Sequence, residues 1–111
     1  MVPGGIGNQT TQSLDNIIGA LPFACKDAFP QIVTECDKTD WKEQLTKCRV
    51  YLAMLEGNEQ SAFDAAWVSF FNSSGTPNPP ARMAFQGAIL VAGARVEIEC
   101  DAFFAPFSFK K

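Results

Sequence analysis

Histidine is absent from all 111 residues of the sequence. Its absence removes Ser-His and Cys-His nucleophile pairs and the usual base at neutral pH. Acid–base chemistry must then fall to carboxylates, Lys, Tyr or Cys. Long apolar runs are also missing, and none approaches the ~20 residues that span a bilayer. The start, Met1-Val-Pro-Gly-Gly, has neither the basic lead nor the apolar stretch of a signal peptide. The expectation is a soluble cytoplasmic protein with no membrane partner, an organelle such as the mitochondrion remaining open. Positive charge is sparse: nine Lys and Arg against twelve Asp and Glu leave a net charge of −3, with no basic cluster beyond Lys110-Lys111. Binding a phosphate backbone takes several positive charges on one surface, so no nucleic-acid partner is expected. Cys25, Cys36, Cys48 and Cys100 form no C-x-x-C pair. Without histidine, a zinc site would need all four thiolates at irregular spacing. Reduced, mostly buried thiols and no metal are the expectation.

What the sequence does contain suits one globular domain over residues 1–111: 47% hydrophobic residues, ten of them Phe. Residues 1–8 read as a Gly/Pro-rich lead-in, with Asn8 a candidate N-cap. Leu14, Ile17, Ile18 and Leu21 then fall on one helical stripe that Pro22 is expected to limit. The next segment mixes aromatic, acidic and Pro signals, with a second short helix around residues 28–36. From Leu45 the period becomes two, setting Cys48, Val50, Leu52 and Met54 on one strand face and Lys47, Arg49 and Tyr51 on the other. After Gly57-Asn58, Phe63, Ala66, Trp67, Phe70 and Phe71 return to helical spacing, as core residues. The Ser/Gly/Pro-rich stretch 72–80 is a break. Strands over 81–91 and 94–105 follow, and Ala92-Gly93 predicts a tight hairpin between them. Three strands with two helices on one face make a thin α+β layer. Its exposed edges and bare second face predict association or a missing part of the domain.

Two charged positions stand out. Arg82 opens a strand otherwise almost free of charge, and an arginine there calls for an anion. That anion is either a carboxylate of this protein or a ligand carboxylate gripped by the guanidinium fork. Glu97 and Glu99 share the polar face of the last strand with Arg95 and Asp101. They form a solvated outer face, or one of them points into a cleft and orients water. With the hairpin turning at Ala92-Gly93, Glu97 falls opposite Ala88, roughly 20 Å from Arg82 at ~3.3 Å per residue. One small ligand could then meet both only at a subunit boundary.

The segment Pro80-Ala-Arg-Met-Ala-Phe, with Val96-Glu-Ile-Glu99 after it, strongly resembles the C-terminal signature of the RidA (reactive intermediate deaminase) family. There a Pro-Ala-Arg triplet opens one strand and a Val-Glu-Ile-Glu run fills the next, at the separation of Arg82 and Glu97. The match is strongest over 80–105. Weaker likeness extends to residues 2–17, to Cys48-Arg-Val-Tyr-Leu52 and to 63–71. The resemblance implies a homotrimer of chorismate-mutase-like subunits that hydrolyses 2-imino acids to 2-keto acids and ammonia without metal or cofactor. Arg82 would bind the substrate carboxylate, the backbone at Ala84 would help position the imine, and Glu97 would hold the attacking water.

Three departures from the family pattern accompany it. The family's opening β-hairpin, with a tyrosine and a Ser-Gly segment, has no counterpart ahead of Val2, so an N-terminally shortened domain is expected. Residues 24–40 form a longer connection, and Asp64 stands where members often have Asn. The alternative is a non-catalytic module of the same fold that binds small carboxylates or serves a larger assembly. A fragment that does not fold alone comes third and an endoribonuclease last, since charge and residue chemistry oppose it.

Overall fold

The computed structural model describes residues 5–72 and 79–104. Most of the break at 72–80, the start of the lead-in and Ala105 lie outside them. Helix α1 (Gly5–Ala28) leads through a 3-10 turn (Pro30–Ile32) to α2 (Val33–Lys38) and α3 (Trp41–Gln44). Strand β1 (Leu45–Leu52), helix α4 (Glu59–Asn72) and strands β2 (Ala81–Gln86) and β3 (Val96–Ala102) complete the order. No helix among the described residues is long and apolar enough to cross a membrane.

The apolar periodicities build one core. Leu14 is fully buried on α1, and Ile17, Ile18 and Leu21 pack beside it. Phe63, Trp67, Phe70 and Phe71 line the buried stripe of α4, with Phe63 and Trp67 at i and i+4, one turn apart. Both helices lie on the sheet face formed by Cys48, Val50 and Leu52 of β1 and Val96 of β3. Met54 does not extend that face. It follows the end of β1 and is exposed. Helix α1 begins at Gly5, whose φ of +80° favours glycine, so Asn8 lies inside the helix and does not cap it. Nor does Pro22 end it. The ring removes one backbone donor, but Leu21 and Cys25 beside it are packed, and burial of the stripe carries the helix onward.

The sheet order is β2-β1-β3, with β2 parallel and β3 antiparallel to β1. The expected hairpin at Ala92-Gly93 therefore does not form between paired strands. Strand β2 ends at Gln86, and residues 87–95 cross from one sheet edge to the other over the end of β1. On the way Ala88 N donates to Leu52 O (3.0 Å) and Ala53 N to Arg95 O (3.1 Å). The turn signal was local and real: Gly93 has φ +84°. Strand partnership, however, is set by β1, which takes β2 on one flank and β3 on the other.

The cysteines also depart from expectation. Cys25 is bonded to Cys36, and Cys48 to Cys100. Cys48 and Cys100 stand directly opposite each other in the β1–β3 register, their Cα atoms 4.0 Å apart. Close approach of this kind belongs to non-hydrogen-bonded antiparallel pairs. The segment 24–40 is not one loop: α1 runs on to Ala28, and the Cys25–Cys36 bond ties its last turn to α2 in a second small core. Trp41 joins it, its indole N–H donating to Cys36 O (3.1 Å), and Phe104 packs in tilted contact with Trp41 and Phe29 at centroid distances of 5.4 and 5.8 Å.

Candidate functional site

Pro79 and Pro80 hold the chain extended before Ala81, and this starts β2. Arg82 is the second residue of that strand and pairs with Cys48. Residues opposite one another in a sheet project to the same face, so Arg82 points toward α4. Its Nη2 donates to Asp64 Oδ1 at 2.9 Å. Its guanidinium carbon lies 5.1 Å from the centre of the Phe63 ring and 5.3 Å from that of Trp67, a cation–π seat on the flank of α4. Asp64 is held in turn by Gln60 one helical turn earlier, whose Nε2 donates to Oδ1 and Oδ2 at 3.3 and 3.2 Å. Of the two anions weighed for Arg82, the molecule itself supplies one. Asp64 is the residue noted in the sequence as a departure, and its α4 periodicity places it beside Phe63 on the flank that Arg82 reaches. Ala84 pairs with Val50, two residues along the same edge strand and on the same face as Arg82.

Glu97 lies elsewhere. It pairs with Tyr51 on the opposite side of β1 and faces away from the helices, with Arg49, Tyr51, Glu99 and Asp101. Two strand spacings across and three residues along put the Cα atoms of Arg82 and Glu97 about 14 Å apart, with side chains on opposite faces. The structure does not bring Arg82 and Glu97 together within one chain, and it separates them by a different route from the hairpin that the sequence predicted.

On the open face the charges are unequally satisfied. Arg49 grips Asp101 through both terminal nitrogens (Nη1–Oδ2 3.2 Å, Nη2–Oδ1 3.0 Å) and Glu99 through Nε at 3.3 Å. That bidentate contact, with Glu99 beside it, raises the Arg49 pKa. The hydrogen bond from Arg49 lowers that of the Asp101 carboxyl. Tyr51 is pushed up, first by desolvation and then by Glu99. Among the described residues, Glu97 alone of the three acids on this face has no ion-pair partner. The period-two pattern had put Arg49 and the acids on polar faces. Only the β1–β3 register shows which acids Arg49 takes.

Arg95, which alternation grouped with Glu97, does a separate job. Its Nε and Nη2 clasp both oxygens of Glu59 at 2.8 and 2.7 Å, and Nη2 also donates to Met54 O at 2.7 Å. Glu59 accepts in addition from Glu56 N, and the Arg95 clasp holds its carboxyl down to about 2. Gln9 of α1 receives Arg95 N (2.7 Å) and donates to Gly93 O (3.0 Å). These bonds fasten the crossover 87–95 to the starts of α1 and α4, and so fix where β3 and Glu97 emerge. No signal in the sequence marked this clasp, because its members are far apart in the chain. No group of three or more His, Cys, Asp or Glu among the described residues is placed to hold a metal.

No family model matches the chain. Curated relatives do. The chain is similar to the 2-iminobutanoate/2-iminopropanoate deaminase of Capra hircus, at 35% identity over 108 residues, 97% of this chain and 64% of that protein. The proteins of the same name from Bos taurus and Rattus norvegicus match over the same shares at 34% and 32%. The chain thus spans somewhat less than two thirds of the length of these relatives. Among solved structures it resembles a protein from Vibrio vulnificus CMCP6 with TM-score 0.65 and 24% identity, covering 92% of this chain and 68% of that one. It also resembles YEO7_yeast, with TM-score 0.62 and 24% identity over 92% and 66%. At that identity the structural likeness speaks for the fold.

Proposed function

We propose that the chain is a RidA-type imine deaminase, on its 32–35% identity to curated imine deaminases over 97% of its length, and that it hydrolyses small 2-imino acids to 2-keto acids and ammonia. The observation that carries the proposal is the division of carboxylates on the open sheet face. Glu99 and Asp101 are committed to Arg49, while Glu97, at the family's position, has no ion-pair partner among the described residues. A carboxylate neutralised by arginine is a poor base, and one standing beside it without such a partner retains the capacity to orient and deprotonate water.

In the proposed reaction Arg82 takes the carboxylate of the 2-imino acid, and the backbone at Ala84 positions the imine nitrogen. Water held by Glu97 adds to the imine carbon. One water proton passes by way of the Glu97 carboxylate to nitrogen, giving the carbinolamine; its hydroxyl proton then passes by the same carboxylate to the amino nitrogen, the C–N bond breaks, and ammonia leaves as the C=O bond forms. The imine is already electrophilic, so orientation of water and modest basic help suffice, and the reaction draws on no metal or cofactor.

Arg82 and Glu97 are about 14 Å apart on opposite faces, so the reading requires that one protomer supply Arg82 and its neighbour Glu97. We therefore propose a cyclic homotrimer of chorismate-mutase-like subunits. Support comes from the open face, where Met83 and Phe85 are 49% and 45% exposed and Tyr51 stacks on Phe85 at 5.6 Å. Large apolar side chains left bare in this way fit a face covered by another subunit.

The test follows ammonia release from a 2-imino acid generated enzymatically in the assay. Release well above the spontaneous rate is expected. Glu97→Gln should lower kcat by about 100-fold or more, the usual scale of general-base help. Arg82→Ala should chiefly raise KM. No acceleration by the folded wild-type protein, or equal activity in both variants, would refute the roles. The second reading, a non-catalytic carboxylate-binding module, is favoured by one specific observation: Arg82 is already engaged by Asp64.

A further inference from the structure

Asp64 meets the same guanidinium that a substrate carboxylate would use. The contact is made from the protein's own helix, with Gln60 bracing both carboxylate oxygens and Arg82 Nη2 at 2.9 Å from Oδ1. It is nevertheless a loose hold. One nitrogen of the guanidinium meets one oxygen, and the side chains are 33% and 43% exposed, which leaves solvent and ligands a path to the pair. A free carboxylate meeting the guanidinium fork edge-on would make two parallel hydrogen bonds where Asp64 makes one. The guanidinium need not leave its seat on Phe63 and Trp67 to do so, because those rings hold its face and leave its edge to the anion.

We propose that Asp64 is an internal counter-ion of the Arg82 site, one that a ligand carboxylate must displace, and that it thereby sets both the affinity and the charge class of the ligand. This rests on the reading of Arg82 as the carboxylate-binding residue. A tethered competitor sits at high effective concentration and weakens every anionic ligand. Once displaced, Asp64 remains close by with its charge intact, tethered to α4 and braced by Gln60. A ligand that carries a second carboxylate then meets a like charge beside the site, which costs affinity. Asp64 therefore selects monocarboxylates over dicarboxylates. It is a specificity-determining residue, and it takes no part in the chemistry.

The experiment is calorimetric titration of the full chain with pyruvate and with 2-oxoglutarate, in wild type, Asp64→Asn, Arg82→Ala and the double variant. Asn keeps the size of Asp64 and a carbonyl oxygen for Gln60. It should tighten pyruvate binding by about 10-fold, the effect of removing one tethered charge competitor, and tighten 2-oxoglutarate more. Arg82→Ala should abolish both gains in the double variant. Should removal of the side chain from the Phe63–Trp67 seat unfold the protein, Arg82→Gln retains the aliphatic stem and serves the same purpose. If Asp64→Asn changes neither affinity while Arg82→Ala still abolishes binding, the counter-ion proposal is wrong and the carboxylate role of Arg82 stands. If binding survives the loss of Arg82, or neither wild type nor Asp64→Asn binds pyruvate, the reading of Arg82 falls and the proposal with it.

Discussion

The three arginines of the chain have three different fates, and the difference lies in what the fold sets opposite each. Arg49 stands in the middle strand across from Glu99, with Asp101 one step away, so it is saturated by its own sheet. Arg95 leaves the crossover toward the first turn of α4 and finds Glu59 there. Arg82 opens an edge strand, where a single half-exposed Asp64 is its counter-ion. An arginine saturated from two sides is structural, whereas one with an exposed, one-point partner retains donors for something else. The Arg95–Glu59 clasp makes a pH prediction whose sign follows from the shift. The Glu59 carboxyl is lowered from 4.5 to about 2 in the folded chain. Its contribution is therefore fully present above about pH 4.5 and is lost as pH falls toward 2. Asp101, also lowered, works in the same direction. Denaturant unfolding of wild type and Glu59→Gln should differ at pH 7, with the variant less stable, and the gap should close as pH falls from 4.5 to 2. A gap that persists at pH 2 would mean that Glu59 acts through packing and not charge.

At the scale of elements, the two disulfides tie down pieces that the small core holds weakly. The Cys48–Cys100 bond closes a separation of 52 residues and Cys25–Cys36 one of 11. On the chain-entropy argument these are worth about 4 and about 3 kcal/mol respectively, the longer loop gaining more. Replacing Cys48 and Cys100 with Ser should cost more stability in urea unfolding than replacing Cys25 and Cys36, and reduction should lower both parents. An unchanged midpoint under reduction would show that the bonds do not contribute. The elements themselves were largely legible in the chain. Period two over 45–52 and helical spacing from Phe63 to Phe71 are local patterns, and local hydrogen bonding obeys them. The alternation even put Cys48 and Cys100 on the apolar faces of their strands. That they meet was not legible, since the sequence gives each strand's faces but not its neighbour. Gly93 illustrates the same limit: a glycine at positive φ serves a hairpin and a crossover equally well, and the choice is made by β1, far back in the chain. Pro22 failed as a stop signal for a related reason, because packing on both sides of it outweighed one lost hydrogen bond.

At the scale of the whole molecule, the sheet divides the residues that the family likeness joins. Arg82 faces α4 on one edge strand, and Glu97 faces outward on the other. Their motifs were legible because both are short and lie in strands. The distance between them was reached in the sequence by a hairpin that does not exist, and the register β2-β1-β3 now replaces it. If one site uses both residues, it lies between protomers, and the bare face carrying Met83, Phe85 and Tyr51 is where a neighbour would sit. This central claim can be tested directly by subunit complementation. Arg82→Ala and Glu97→Gln chains, each impaired alone, are unfolded together, mixed in equal amounts and refolded. In a cyclic trimer with random assembly, about one quarter of the boundaries then pair an intact Arg82 with an intact Glu97, and imine hydrolysis should return to about a quarter of the wild-type rate. A mixture no more active than the two variants measured separately, with active wild type refolded in parallel, would contradict a shared site and with it this account.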